Sequence, residues 1–196
     1  MDQRTDSTDG GEPAYTYKPS LFGAPWEFRL TPDAIEWRVG RHQGRTPYTG
    51  IARIRLSFRP VTMQTRRFVT EIWPAGGPRL SIASASWRSL VEQQAQDQAY
   101  GAFVRELHRR IAAADVRASF VTGSPAMLYW PGVTIFVVVS LGLAALTLHA
   151  LQVGAWTGAA FVGGFLGLFV WQSGTYFRRN RPGSYRPDAL PDKLVP

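Results

Sequence analysis

A long stretch without charge dominates this sequence. Residues 118 to 177 contain no Asp, Glu, Lys or Arg, and all 22 basic and 14 acidic residues lie outside that stretch. A helix in a soluble core almost never extends so far without a charged residue. Two apolar runs within it, 132–151 and 155–174, have 20 residues each. As helices they would each span about 30 Å, the thickness of a bilayer core, which predicts two membrane spans.

The segment between the two runs, Gln152 to Gly154, predicts a turn. A single helix from Pro131 to Tyr176 would be about 68 Å long, roughly twice the thickness of the hydrocarbon core. Aromatic side chains of the kind found at membrane interfaces flank the outer ends of both runs, namely Tyr129, Trp130, Trp171, Tyr176 and Phe177. We therefore predict a two-helix transmembrane hairpin over residues 131–177. A buried hairpin in a large soluble protein is the alternative.

Basic residues flank the predicted hairpin but are absent from its turn. They are Arg109, Arg110 and Arg117 before the first run, and Arg178, Arg179, Arg181 and Arg186 after the second. The positive-inside rule then predicts that both termini are cytoplasmic. Residues 1–13 lack the apolar region of a secretory signal and are predicted to be disordered. The absence of cysteine fits a reducing compartment.

Short segments before the hairpin alternate apolar and polar residues, as strands with one buried face do. WEFRL at 26–30 and the segment 35–39 flank a turn at Pro32. Pairing them about this turn sets apolar residues opposite one another on one face and Glu opposite Arg on the other, which predicts a β-hairpin. The predicted pairs are Leu30 with Ile35, Phe28 with Trp37, Trp26 with Val39, Arg29 with Glu36, and Glu27 with Arg38.

Further strands and a helix follow this hairpin. Strands are predicted at 52–59, 66–73 and 79–84, and Ile51 stands out of phase with the first of them, which indicates a β-bulge. Ser89 and Glu92 then form a capping-box pattern. The apolar face of the helix that follows, predicted over 89–114, consists of Tyr100, Phe103, Val104, Leu107 and Ile111.

These segments predict an α+β fold for residues 14–117: a small antiparallel β-sheet or barrel capped by a C-terminal amphipathic helix. Residues 118–130 are interpreted as a linker to the hairpin. Residues 178–196 are interpreted as a basic, Pro-rich cytoplasmic tail.

The order of the segments resembles a known family. The stretches FRLTPDAIEW, TPYTGIARIRL and GGPRLSIASASW, followed by the helix YGAFVRELHRRI, resemble the pleckstrin-homology-like domains of bacteria, which are often fused to membrane helices. The resemblance covers residues 24–114. It implies a small, strongly bent sheet closed by a C-terminal helix, and a binding or scaffolding role without catalysis. Residues 31–34 lack the basic cluster that phosphoinositide-binding members carry after their first strand, which favours protein binding.

The sequence contains no catalytic pattern that we recognise. It has no HExxH, Walker A or GxSxG motif, and its histidines, His42, His108 and His149, are far apart. We therefore expect no catalytic residues, no metal ligands and no cofactor. The carboxylates on predicted strands and helices are interpreted as solvated charges; they are Glu71, Glu92 and Glu106.

Arginine supplies the basic surplus. The net charge is +8, with 20 Arg and 2 Lys. The candidate binding residues begin in the predicted loop RVGRHQGR and continue into the next strand; they are Arg38, Arg41, Arg45, Arg53 and Arg55. Anionic lipid headgroups or a protein partner would bind there, with about 1 kcal/mol per residue available near an anionic membrane. A merely solvated sheet face is the alternative. Nucleic acid is not expected, because no recognised nucleic-acid motif is present.

Glycines recur in the second run at spacings that allow helices to approach closely. The candidate packing residues are Gly154, Gly158, Gly163 and Gly167. They would pack either against the first span, through Ser140, Gly142 and Ala144, or against another subunit.

Together these observations favour a non-enzymatic, multi-pass adaptor of a bacterial inner membrane. The hairpin would anchor it in the lipid bilayer, and the pleckstrin-homology-like domain would bind a protein partner or anionic headgroups at the cytoplasmic face. The alternative is an accessory subunit of a larger membrane transporter or enzyme complex, packed through the glycine-rich second span.

Overall fold

The computed structural model of the chain describes residues 11–59, 67–88 and 93–196. It divides the chain into two compact units. The first unit runs to Thr122 and takes up the chain again at Gly183–Pro196, and the second is Gly123–Pro182. The segment that follows the second unit is therefore part of the first.

A four-stranded antiparallel sheet opens the first unit. Its strands, in both chain and spatial order, are β1 (Ala14–Tyr17), β2 (Trp26–Leu30), β3 (Ala34–Val39) and β4 (His42–Pro47). The β2–β3 register confirms the predicted hairpin at four positions, which are Leu30↔Ile35, Arg29↔Glu36, Phe28↔Trp37 and Glu27↔Arg38. The predicted loop RVGRHQGR is instead a tight turn followed by β4. Gly40 at that turn has φ +62°, a conformation that glycine adopts without strain.

A second sheet has the spatial order β11-β10-β5-β6-β7. Its strands are β5 (Ile51–Phe58), β6 (Phe68–Pro74), β7 (Leu80–Ala83), β10 (Ser119–Thr122) and β11 (Gly183–Ser184). Strands β5, β6 and β7 are antiparallel, and β10 runs parallel to β5. The register shifts between Ile51 and Arg53, which confirms the predicted bulge. Strand β10 lies within residues 118–130, the stretch interpreted as a linker. These residues form a strand and not a linker because Phe120 packs into the apolar core.

The amphipathic helix α1 (Asp97–Ala113) buries its predicted face. Tyr100, Phe103, Val104, Leu107 and Ile111 are each at most 3% exposed. The helix begins later than predicted, because residues 93–95 form strand β9 with β8 (Ala85–Trp87). The predicted capping box, Ser89 with Glu92, lies outside the described residues.

The segment after Pro182 completes the core of the first unit. Leu194 and Val195 are 2% and 3% exposed and belong to the same apolar cluster as the buried face of α1. Arg105 on α1 donates a hydrogen bond of 2.7 Å to the carbonyl oxygen of Pro196. The interpretation of residues 178–196 as a tail is therefore wrong for residues 183–196, which belong to the first unit. The segment is mostly polar in composition, so the sequence gives no sign that its few apolar side chains are buried.

The second unit consists of helices α2 (Ala126–Gln152) and α3 (Trp156–Arg179). Helix α2 ends at Gln152 and helix α3 begins at Trp156, so the chain turns where the sequence predicts a turn. Gly154 within this turn has φ +73°. Aromatic contacts join the two helices; ring centroids of Phe136 lie 5.6 Å from Phe169 and 5.4 Å from Phe177. Among the described residues, α2 alone is long and apolar enough to span a membrane, and none of its apolar 18-residue window is buried inside the chain.

Candidate functional site

The five candidate arginines fall on two different sheets. Arg38 and Arg45 lie on the outward face of the first sheet, and Arg41 lies at the β3–β4 turn. Arg53 and Arg55 lie on the outward face of the second sheet. In the described part of the chain no strand pairing joins these sheets, so strand pairing does not gather the five residues into one site.

Acidic side chains balance the arginines of the first sheet. Arg38 contacts Glu27 at 3.1 Å, and Arg45 contacts Asp33 at 2.7 Å and Glu36 at 3.9 Å. All five side chains are roughly half exposed or more, so each pair contributes about 1 kcal/mol or less to stability. This face carries little surplus charge with which to attract an anion.

The second sheet gathers a different set of arginines, which we call the arginine face. It consists of Arg53, Arg55, Arg59 and Arg79 together with Glu71 and Trp73. Strand register places Arg55 opposite Glu71, and Glu71 opposite Ser81 on the next strand, while Arg53 stands opposite Trp73. Residues two apart on a strand point to the same side, so Ile54 and Leu56 enter the core while Arg53 and Arg55 face outward.

Glu71 is the centre of this face. Its side chain is 1% exposed, and its carboxylate contacts three guanidiniums: Arg59 at 3.0 Å, Arg79 at 3.6 Å and Arg55 at 3.9 Å. Burial of an unpaired carboxylate would be very costly, so the arginines stabilise Glu71 where it lies. The interpretation of Glu71 as a solvated charge is therefore wrong.

Trp73 supports two of these guanidiniums. The Arg55 Cζ lies 5.0 Å from the centre of a Trp73 ring, and the Arg79 Cζ lies 5.8 Å from it. Guanidiniums at such distances are attracted to the negative face of an indole. Trp73 therefore restricts the positions that Arg55 and Arg79 adopt.

Like charges crowd Arg55. Burial lowers the pKa of its guanidinium, the charge of Glu71 opposes that shift, and the charges of Arg53, Arg59 and Arg79 add to it. Arg53, Arg59 and Arg79 therefore each lie near enough to Arg55 to repel it, while burial is the largest cause of the lowered pKa.

Ser57 adds an unsatisfied polar group to the same face. It lies on β5 between Arg55 and Arg59, on the side of the strand that alternates with the core residues Ile54 and Leu56. The structure nevertheless leaves it 3% exposed, and among the described residues its Oγ has no hydrogen-bond partner. Buried hydroxyls without a partner are uncommon in folded proteins.

His108 lies apart from this face, on the buried side of α1. Its Nδ1 is 2.7 Å from the carbonyl oxygen of Val104, and its Nε2 is 2.7 Å from the hydroxyl of Tyr185. A carbonyl can only accept, so Nδ1 carries the proton and Nε2 accepts from Tyr185. Burial lowers the pKa of His108 to about 4. The described residues contain no group of three or more His, Cys, Asp or Glu side chains placed to hold a metal ion.

The candidate packing glycines lie in different surroundings. A Cβ placed on Gly163 would be 3.4 Å from Cγ2 of Thr147 on α2, whereas among the described residues nothing lies within 4 Å of the Cβ positions of Gly154, Gly158 and Gly167. On α2, Ser140 and Ala144 are partly buried and Gly142 is exposed. Phe177, which the sequence places at the membrane interface, supplies part of the contact between the two helices.

Comparison with protein-family models, with curated proteins and with solved structures finds no match for the chain. The function therefore has to be argued from the site itself.

Sequence reasoning missed Glu71, Arg59 and Arg79 as members of the site. One usable signal was present: Arg53, Arg55 and Arg59 occupy outward positions of one strand, and Glu71 and Trp73 occupy outward positions of the next. Pairing these two strands in register would have placed Arg55 beside Glu71.

Proposed function

We propose that this chain is a non-enzymatic, membrane-anchored binding protein. Helices α2 and α3 span the membrane as a hairpin, and the first unit, a pleckstrin-homology-like domain, binds its ligand or partner at the cytoplasmic face through the arginine face. The order of elements supports the family resemblance, since four antiparallel strands, three more antiparallel strands, the short β8–β9 pair and then α1 follow one another along the chain.

One observation carries the membrane arrangement. The chain leaves the first unit at Thr122 and returns to it at Gly183, and these two residues are paired across β10 and β11. If α2 crosses a bilayer, a second crossing by α3 is needed to bring the chain back to that pair. Both ends of the helical segment then emerge on one side, and the positive-inside rule makes that side cytoplasmic because Arg178 and Arg179 follow there.

Cysteine labelling tests this topology directly, because the chain has no cysteine of its own. Single cysteines would replace Val153 at the α2–α3 turn, Lys18 after β1 and Asp188 after β11. In spheroplasts we expect a membrane-impermeant maleimide to label Val153→Cys, and to label Lys18→Cys and Asp188→Cys only after lysis. Labelling of all three before lysis, or of none, would contradict a cytoplasmic domain on a spanning hairpin.

A second candidate function is that of an accessory subunit in a larger membrane complex. The open glycine positions favour it, because α3 contacts α2 through Phe169 and Phe177 and leaves Gly158 and Gly167 without a neighbour among the described residues. Small residues on an open helix face allow another transmembrane helix to approach closely.

A further inference from the structure

Positive charge on the arginine face exceeds what its carboxylate balances. Three guanidiniums contact Glu71, and Arg53 adds a fourth opposite Trp73. On the first sheet, by contrast, Arg38 and Arg45 each have an acidic partner of their own. The surplus is therefore a local property of the second sheet.

Hydrogen-bond donors are also left over on this face. Each guanidinium carries five N–H groups in a planar fork. Arg59 uses one of them on Glu71, at 3.0 Å, and Arg79 approaches the same oxygen only to 3.6 Å. Their side chains are 53% and 55% exposed, so the remaining N–H groups reach solvent. Because both nitrogens lie near one carboxylate oxygen, the two guanidiniums are close enough for one tetrahedral anion to bridge them.

Ser57 lies on the same side of β5, between Arg55 and Arg59, and its buried hydroxyl has no partner among the described residues. The hydroxyl is inaccessible to solvent, so an anion at this face would be bound by the exposed guanidiniums and not by Ser57.

We propose that the arginine face binds a phosphate group, with Arg59 and Arg79 donating hydrogen bonds and Arg53 and Arg55 supplying further charge. Two N–H groups of one guanidinium can bind two oxygens of a phosphate, and the double negative charge of a phosphate matches a surplus of more than one positive charge on this face. Glu71 and Trp73 are positioning residues that hold the guanidiniums. The inference rests on the proposed function in treating the first unit as a binding domain, and names the chemistry of its ligand. A lipid headgroup and a soluble phosphorylated molecule both present that chemistry.

Calorimetric titration of inorganic phosphate into the full-length protein in phosphatidylcholine nanodiscs tests the proposal. We expect the Arg59→Ala/Arg79→Ala variant to bind about 100-fold more weakly, roughly tenfold for each charge-assisted interaction lost. The matched control is Arg38→Ala/Arg45→Ala, which removes the same charge from side chains of similar exposure, 60% and 56%. It should keep the affinity of the unmodified protein.

A second variant guards against a folding defect. Arg59→Lys/Arg79→Lys keeps the charge beside Glu71 but loses the planar forks, so we expect binding about tenfold weaker with an unchanged unfolding temperature. Equal weakening in the alanine variant and its control would show nonspecific charge attraction and overturn the proposal. Absence of binding to the unmodified protein at millimolar phosphate would overturn it as well.

The same titration in nanodiscs that contain phosphatidic acid distinguishes the two sources. If the lipid headgroup occupies the face, soluble phosphate will no longer bind; if the natural ligand is soluble, phosphate will bind as before. Both results support phosphate recognition. The cysteine labelling described above reports on the membrane anchor alone, so failure of the anchor and failure of this site are separate outcomes.

Discussion

His108 is a buried residue with one hydrogen-bonding arrangement available to it. Both ring nitrogens have partners, and the ring packs against Phe120 and Tyr185 at centroid distances of 6.0 and 5.6 Å. A second proton on Nε2 would face the Tyr185 hydroxyl in a site without solvent. The neutral ring therefore holds α1, β10 and the segment after β11 together.

Acid should weaken the first unit through His108. The unfolded chain takes up the proton near pH 6.5 and the folded chain only near 4, so between these values the unfolded state binds more protons. Stability is fully present above pH 6.5 and falls as the pH drops towards 4, by roughly 3 kcal/mol in all. Urea unfolding at pH 7.5, 5.5 and 4 measures this fall in the free energy of unfolding.

The variant His108→Gln should lose the His108 contribution to that pH dependence, whatever its absolute stability. His42 lies exposed on β4, so His42→Gln is the control and should keep the full dependence. An unchanged slope in His108→Gln would contradict the assignment.

At the scale of elements, local pairings could be predicted and distant ones could not. The β2–β3 register follows from the sequence because the two strands are adjacent and both faces favour the same alignment. Strand β10 pairs with β5 from more than 60 residues away, and β11 has two residues, so neither carries a periodic pattern. The burial of Glu71 depends on three strands and on arginines outside its own strand, which no single segment reveals.

The open glycines of helix α3 allow a test of the accessory-subunit function. Leucine at Gly158 and Gly167 has room beside α2, and it removes the flat surface that a neighbouring transmembrane helix would need. If the chain is an accessory subunit, Gly158→Leu/Gly167→Leu should lose its complex in native gel electrophoresis of mildly solubilised membranes. The first unit should stay folded.

The control for this change is Gly163→Leu, whose side chain would meet Thr147 on α2. We expect it to lower the thermal stability of the protein. A glycine double variant that keeps every membrane complex of the unmodified protein would count against the subunit function.

On the scale of the whole molecule, the first unit is discontinuous in sequence. Residues on both sides of the helical segment contribute to one core, in which Leu194 and Val195 join the buried face of α1. The first unit is therefore incomplete without a segment that comes after both helices.

A charge in that segment should destabilise the unit. Leu194→Asp would bury an unpaired carboxylate at a position that is 2% exposed, and we expect a loss of about 3 kcal/mol or more. Lys193→Asp, at an exposed neighbouring position, should change the free energy of unfolding by less than about 0.5 kcal/mol. Thermal unfolding with limited proteolysis compares the two; equal stability would show that the segment is dispensable.

Because the first unit is discontinuous in sequence, its last segment is synthesised only after both helices. A ribosome that has just finished Thr122 must add another 72 residues to complete Leu194, which takes roughly 4–14 s at ordinary rates of chain elongation. Until Ser184 has been added the nascent sheet lacks β11, and until the end of the interval the core lacks Leu194 and Val195. The first unit can therefore complete its core only after both helices have been synthesised, and a protease-resistant first unit would mark chains whose translation has passed them.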